Sequence, residues 1–445
     1  MRRNISRCWW RSLLAIACLG LSSAADGAEY PLSGAKVSVK YGDPLKQSLT
    51  IRGRWQGALT TGAPTFAGAT LRVAGAYGQG GTSVIPLAAG SWQALGSGAG
   101  YKYLDPTGAA GGIKKIIVKN GRNGRPGIVR IRSGGGFLYD HRGAHTRVRA
   151  SLEVGLDRWC ADIQGPVDDG TRITAAAETP PASCPSDGVV DVAWLQARLG
   201  HPDLQVIDTR ASFGGGHIPG ALPLRPEHLA TTIAGIDFEM MPPALAEPVL
   251  SGIGLRREAT VIVYGVSPEY DPARVMWSLY YLGHPDVRYL DGGWNAWVAA
   301  GGPTAAGAPV AGAPTTYVAN PLRTDVRVTS DFVLAQIGSP PYDSPAIQLV
   351  DARSSGEYTA GHIPSAILQA WPSNLVVGHL KPRGDLEALY SGLGFDPTRT
   401  TVTYCLIGWR ASVSWLALHW LGFDDARLYD GSWTEWGAGG FPVEP

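Results

Sequence analysis

The sequence predicts a multidomain protein in which an N-terminal all-β, sandwich-like domain precedes two α/β domains with parallel sheets. Three observations carry that prediction. Ordered motifs recur in the last two-thirds of the chain at a nearly fixed offset, 143 residues from Asp208 to Asp351 and 139 from Asp291 to Asp430. Such spacing marks two copies of one domain rather than short solenoid units. Within each copy, short Val/Ile/Leu runs without alternation sit between helix-like stretches, as buried parallel strands do. Upstream, alternating runs such as Ala69–Val73 and Ile128–Arg132 are parted by Gly-rich turns, the signature of an antiparallel all-β unit.

Residues 1–25 read as a secretory signal peptide. Arg2, Arg3, Arg7 and Arg11 make a basic start, Leu13–Leu21 an apolar centre, and Ser23-Ala24-Ala25 a small-residue cleavage site. Arg2-Arg3 as a twin-arginine signal and Cys18 as a lipoprotein site are the alternatives. The apolar run is too short for a stable anchor, and no later stretch is long enough to span a bilayer. The mature chain is therefore expected in the periplasm or secreted, without an integral membrane segment.

Residues 26–165 form the β-rich domain, of unknown role and with a possible unknown protein partner. Its Arg and Lys could line an anion-binding face or simply a solvated sheet face. The chain as a whole carries a formal net charge of +1, which gives no ground for a nucleic-acid partner. Residues 166–188 read as a linker. Of the five cysteines, Cys8 and Cys18 leave with the signal. Cys160 and Cys184 flank a polar, Pro-rich segment and are a disulfide candidate in an oxidising compartment, two free thiols being the alternative. Cys405 is then left without a partner.

The first α/β copy is assigned to 189–303 and the second to 321–445, with an Ala/Gly/Pro-rich linker over 304–320. Helices are expected over Val192–Leu199 and Ala411–Leu421, with Gly422 just past a helix end. The copies share Gly-His-Ile-Pro at His217 and His362, and an Asp-Gly-x-Trp segment at Asp291 and Asp430. Shared features are read as scaffold, so both histidines are expected to be turn or core residues. The thiol is not shared: Gly265 stands where Cys405 stands, and a longer loop, 266–273, follows it. The first copy is thus expected to be inactive and to form one wall of a cleft.

Cys405 follows the apolar run Val402-Thr403-Tyr404 and opens the segment Leu406-Ile407-Gly408-Trp409-Arg410. Ligands on parallel sheets bind outside the carboxyl ends of the strands. N–H groups converging at a helix start lower a thiol pKa from about 8.5 to roughly 3.5–7.5, which makes a nucleophile. A buried structural cysteine is the competing reading.

Over roughly Val189–Pro445, these motifs resemble the tandem-domain rhodaneses, thiosulfate and 3-mercaptopyruvate sulfurtransferases with an inactive first domain and a cysteine in the second. The Cys405 loop and the ending Tyr429-Asp430-Gly431-Ser432-Trp433-Thr434-Glu435-Trp436 carry the likeness. It implies transfer of a sulfane sulfur from thiosulfate or 3-mercaptopyruvate to cyanide or a thiol through a Cys405 persulfide, with no metal and no other cofactor. Leu406, Ile407, Gly408 and Trp409 would cradle the persulfide, and Arg410 would bind the donor's anionic group. The family places a substrate-binding arginine in the segment that holds Arg353. Ion pairing within the loop is the alternative for Arg410, and a structural pair with Asp351 or Glu357 the alternative for Arg353. Leu406 and Ile407 stand where thiosulfate-preferring members often carry basic residues, which weakens thiosulfate as the best donor. Two rivals remain at this stage: an exported sulfur carrier or binding module without steady turnover, and a cysteine phosphatase, whose loop would need one residue more between Cys405 and Arg410.

Overall fold

The computed structural model describes residues 29–445 except 42, 44–46, 56–68, 76–79, 82–84, 97–98, 122–124, 135–136, 138–139, 142–146, 155–156, 178–187, 197, 203, 214 and 424. The signal segment and Cys184 lie outside the described residues.

The N-terminal residues form two mainly antiparallel sheets, of seven and eight strands, around one apolar core. Register explains the burial. Ala175, Val37, Ile51, Ile131, Ile116 and Tyr103 lie opposite one another on successive strands and all face inward. Their sequence neighbours point outward, because strand side chains alternate. The eight-stranded sheet runs past the boundary expected at 165. Val167–Asp168 and Arg172–Ala177 are strands, and the latter pairs with Ser33–Lys40, so the start of the expected linker belongs to the sheet. Cys160 is disulfide-bonded. It sits fully buried inside the strand Asp157–Gln164.

Each later copy holds a five-stranded parallel sheet. In the first the order is Val189–Val190, Asp286–Leu290, Thr260–Tyr264, Leu204–Asp208 and Leu222–Pro223. In the second it is Arg327–Val328, Ala426–Tyr429, Thr401–Tyr404, Gln348–Asp351 and Ile367–Leu368. Each copy adds a two-stranded hairpin, Ala230–Met240 in the first and Leu375–Leu380 in the second. The expected helix Ala411–Leu421 forms and ends at Gly422 with φ 90°, a left-handed conformation that glycine adopts without a Cβ penalty.

The two copies share one continuous core. Helix Asp271–Tyr281 of the first lies against helix Ala411–Leu421 of the second, with the rings of Tyr280 and Trp415 5.3 Å apart. The segment expected as a loose linker is docked. Ala305 pairs with His217, Gly312 N–H donates to Ile253, and Tyr317 is buried with its ring stacked on His284. His217 and His362 are scaffold residues as expected: each joins the stretch of chain that closes its own copy, at Ala305 and Glu444.

Candidate active site

Cys405 lies at the carboxyl end of the strand Thr401–Tyr404, and the helix Ala411–Leu421 begins after the intervening loop. The loop is held from the other side by the turn Asp430–Trp433. The Cys405 carbonyl accepts from Trp433 N–H at 3.0 Å, and its N–H donates to Ser432 Oγ at 3.2 Å. Ser432 takes φ 51°, a left-handed conformation that strains a non-glycine residue by roughly 1–2 kcal/mol. Gly408 must be glycine, because a Cβ there would stand 2.7 Å from the Asp430 carbonyl.

The sulfur is not displayed in an open ring of amides. Cys405 is fully buried within the shared core, and among the described residues no N–H of Leu406, Ile407, Gly408 or Trp409 hydrogen-bonds to it. The charged neighbour of the thiol is Arg410. Its pKa is held above the ordinary value chiefly by Glu357, and the nearby Cys405 sulfur adds to that. Arg410 is in turn gripped by Glu357, Nη1 to Oε2 at 2.9 Å and Nη2 to Oε1 at 2.7 Å. That pair brings the Glu357 carboxyl down to about 2. Glu357 also completes a capping box with Ser354, so the carboxylate is fixed by a helix start as well as by the arginine.

The resemblance made Arg353 a substrate-binding group; in the structure it is buried and paired within the scaffold. Nε and Nη2 reach Asp351 at 3.0 and 2.7 Å, Nη2 also donates to the Gly361 carbonyl at 2.8 Å, and the guanidinium stacks 4.3 Å over Trp433. The first copy repeats every contact. Arg210 binds Asp208 at 2.9 and 2.7 Å, donates to Gly216 at 2.8 Å and stacks 4.1 Å over Trp294. A feature present in the copy without a thiol serves the fold.

The first copy supplies groups that sequence comparison missed. Phe238, in the second strand of the hairpin Ala230–Met240, sets its ring 5.5 Å from Trp409, and its carbonyl accepts from Trp409 Nε1 at 3.2 Å. Tyr270, from the loop that replaces the thiol loop, meets Trp371 edge-on at 5.7 Å and lies near Arg410 and Cys405. Asp430 accepts from Met240 N–H at 2.7 Å and pairs with Arg274 at 2.7 Å. Asp291 returns the contact by accepting from Leu380 N–H at 2.8 Å. Each Asp-Gly-x-Trp turn therefore clasps the other copy's hairpin. The signal for this was the shared Asp, but one copy's sequence does not name its partner in the other.

A side chain at the place matching Cys405 would crowd its neighbours in the first copy. A Cβ on Gly265 would lie 2.7 Å from Thr209 Oγ1 and 3.1 Å from Pro272 Cδ. Two cavities open between the copies, of about 520 Å³ beside Ser267 and His379 and about 350 Å³ beside Glu239, Arg327 and Asp430. Cys405 lines neither of them.

Comparison with known proteins bears on this arrangement. A family model described as Rhodanese-like domain matches residues 191–300 and 334–438, one region in each copy. A thiosulfate sulfurtransferase of Corynebacterium glutamicum is 33% identical over 273 residues, 56% of this chain and 87% of the relative. A putative thiosulfate sulfurtransferase of Mycobacterium bovis is 30% identical over 280 residues, 58% of this chain and 98% of the relative. Among solved structures, the 3-mercaptopyruvate sulfotransferase SseA of Escherichia coli superposes with a TM-score of 0.50 at 26% identity, covering 55% of this chain and 98% of that one.

Proposed function

The chain belongs to the rhodanese sulfurtransferase family, and from that premise we propose that it moves a sulfane sulfur from thiosulfate or 3-mercaptopyruvate to a thiol or cyanide through a persulfide on Cys405. The observation that carries this reading is the unshared thiol at a strand's carboxyl end with the Arg410 guanidinium against it. The Cys405 thiolate attacks the donor's outer sulfur. The bond to that sulfur breaks, and sulfite or the enolate of pyruvate leaves with the electron pair. An acceptor thiolate or cyanide then takes the outer sulfur, and the S–S pair returns to Cys405 as thiolate. Arg410 offsets the negative charge at the sulfur in both steps. Leu406 and Ile407 add no cation, and Arg410 is already engaged by Glu357, which favours an organic donor over thiosulfate.

Burial of the sulfur also supports a carrier that stores sulfane sulfur without steady turnover. An exported location is supported by the basic and apolar start of the chain and by the bonded Cys160. We read the two N-terminal sheets as a sandwich.

Mass spectrometry after donor treatment tests the reading. One sulfur gained on the Cys405 peptide, and none in Cys405→Ser, is the expected result. Steady product release with small acceptors identifies an enzyme, and loading without turnover identifies a carrier. Loss of no activity in Cys405→Ser would discard the mechanism, and hydrolysis of an aryl phosphate would turn the reading to a phosphatase.

A further inference from the structure

The outward face of the eight-stranded N-terminal sheet is basic in a way the chain's net charge of +1 does not foreshadow. One outward row crosses adjacent strands as Lys36, Arg52, Arg130, Ile117 and Lys102. A second carries Arg54, Ile128 and Lys119, and a third sets Arg132 opposite Lys115. Arg52 and Arg130 are exposed and directly opposite each other, where like charges destabilise a sheet. Among the described residues, neither side chain has an ion pair or a side-chain hydrogen bond. These eight strands hold one carboxylate, Asp168 on the edge strand, and it is taken by Tyr41 Oη. A face built against its own repulsion, with counter-charge left out, is suited to an anionic partner.

The shape and the residues between the cations narrow the partner. Ile117 and Ile128 stand half-buried among the basic groups, and no aromatic residue occupies these rows. Proteins that follow single-stranded nucleic acid stack bases on aromatic rings, and duplex readers insert an element into a groove. A sheet face with cations in rows and aliphatic side chains between them matches a planar layer of phosphates over acyl chains. The other N-terminal sheet faces the catalytic part. Arg158 and Glu153 on its strands reach Asp286 and Arg288 of the first α/β copy, at 3.7 and 3.8 Å. The basic sheet is thus the layer turned away from the sulfurtransferase copies.

We infer that this face docks the protein on an anionic phospholipid bilayer. The full chain is sedimented with vesicles of phosphatidylcholine alone and of phosphatidylcholine with phosphatidylglycerol, at low and high salt. It is expected to sediment with the anionic vesicles at low salt, to be released by high salt, and to ignore the neutral ones. The combined variant Arg52→Ser, Arg130→Ser, Lys119→Ser should bind about a hundredfold more weakly, at roughly fivefold per cation. Its thermal midpoint should not fall below that of wild type, because the substitutions relieve the like-charge contact, and its sulfur transfer to a small acceptor should match wild type. Equal sedimentation with neutral vesicles, undiminished binding by the variant, or no binding at all overturns the proposal. So does retention on heparin or duplex DNA without vesicle binding, which would assign the face to another polyanion.

Discussion

Glu357 holds both terminal nitrogens of Arg410, and this pair decides how much cation the thiol's surroundings can offer a donor. Glu357→Gln should lower KM for thiosulfate several-fold, because the freed guanidinium becomes available to an anion, with a smaller change for an uncharged persulfide donor. Steady-state kinetics with both donors checks this. Equal effects on both would show that Arg410 does not meet the donor.

The same carboxylate gives a pH signature. Its folded pKa of about 2 lies below the ordinary value of 4.5, so its stabilisation is complete above about 4.5 and is lost as pH falls through about 2. Denaturant midpoints between pH 5 and 2 should fall less steeply in Glu357→Gln than in wild type. Parallel slopes would mean the pair contributes nothing in solution.

Arg353 and Arg210 should behave alike. Arg353→Met and Arg210→Met each leave a buried aspartate unpaired, which costs about 3–5 kcal/mol. Where folded protein is recovered, the ratio of kcat/KM for charged and uncharged donors should be unchanged. A stable Arg353→Met variant with a selective loss of anionic donors would restore it as a substrate group.

Glu239 ties the first copy's hairpin to Arg327 beside Asp430. Burial, then the Asp430 and Glu435 charges, carry its carboxyl up to about 7 against the pull of Arg327 and Arg274. For a raised acid the folded state prefers the neutral form. That advantage is complete below about 4.5 and is lost as pH rises through about 7. Glu239→Gln should therefore gain on wild type as pH goes from 5 to 8. Chemical denaturation at the two pH values measures the difference, and an unchanged gap would remove Glu239 as the titrating group.

Gly265→Cys should not create a second site. Its Cβ would press on Thr209 and Pro272, and overpacking of this kind costs about 1–3 kcal/mol. Donor treatment followed by mass spectrometry should load Cys405 alone. A sulfur found on residue 265 would show that the first copy lacks only the thiol.

The sequence by itself determined the duplication, the helix Ala411–Leu421, the parallel strands and the place of the unshared thiol, because strand and helix periodicities and offsets are local or repeat faithfully. It misjudged the end of the β unit, since Arg172–Ala177 becomes a strand only by pairing with Ser33–Lys40, far away in the chain. It could not separate Arg353 from Arg410 either. Both are arginines in motif segments, and only the folded chain shows one stacked on Trp433 above Asp351 and the other against the thiol, held by Glu357. The clasp of Asp430 on Met240, the Phe238 contact with Trp409 and the full burial of Cys405 were decided by tertiary structure, because each depends on where one copy's hairpin lands on the other. Periodicity records which face of an element is buried, but it carries no record of what buries it.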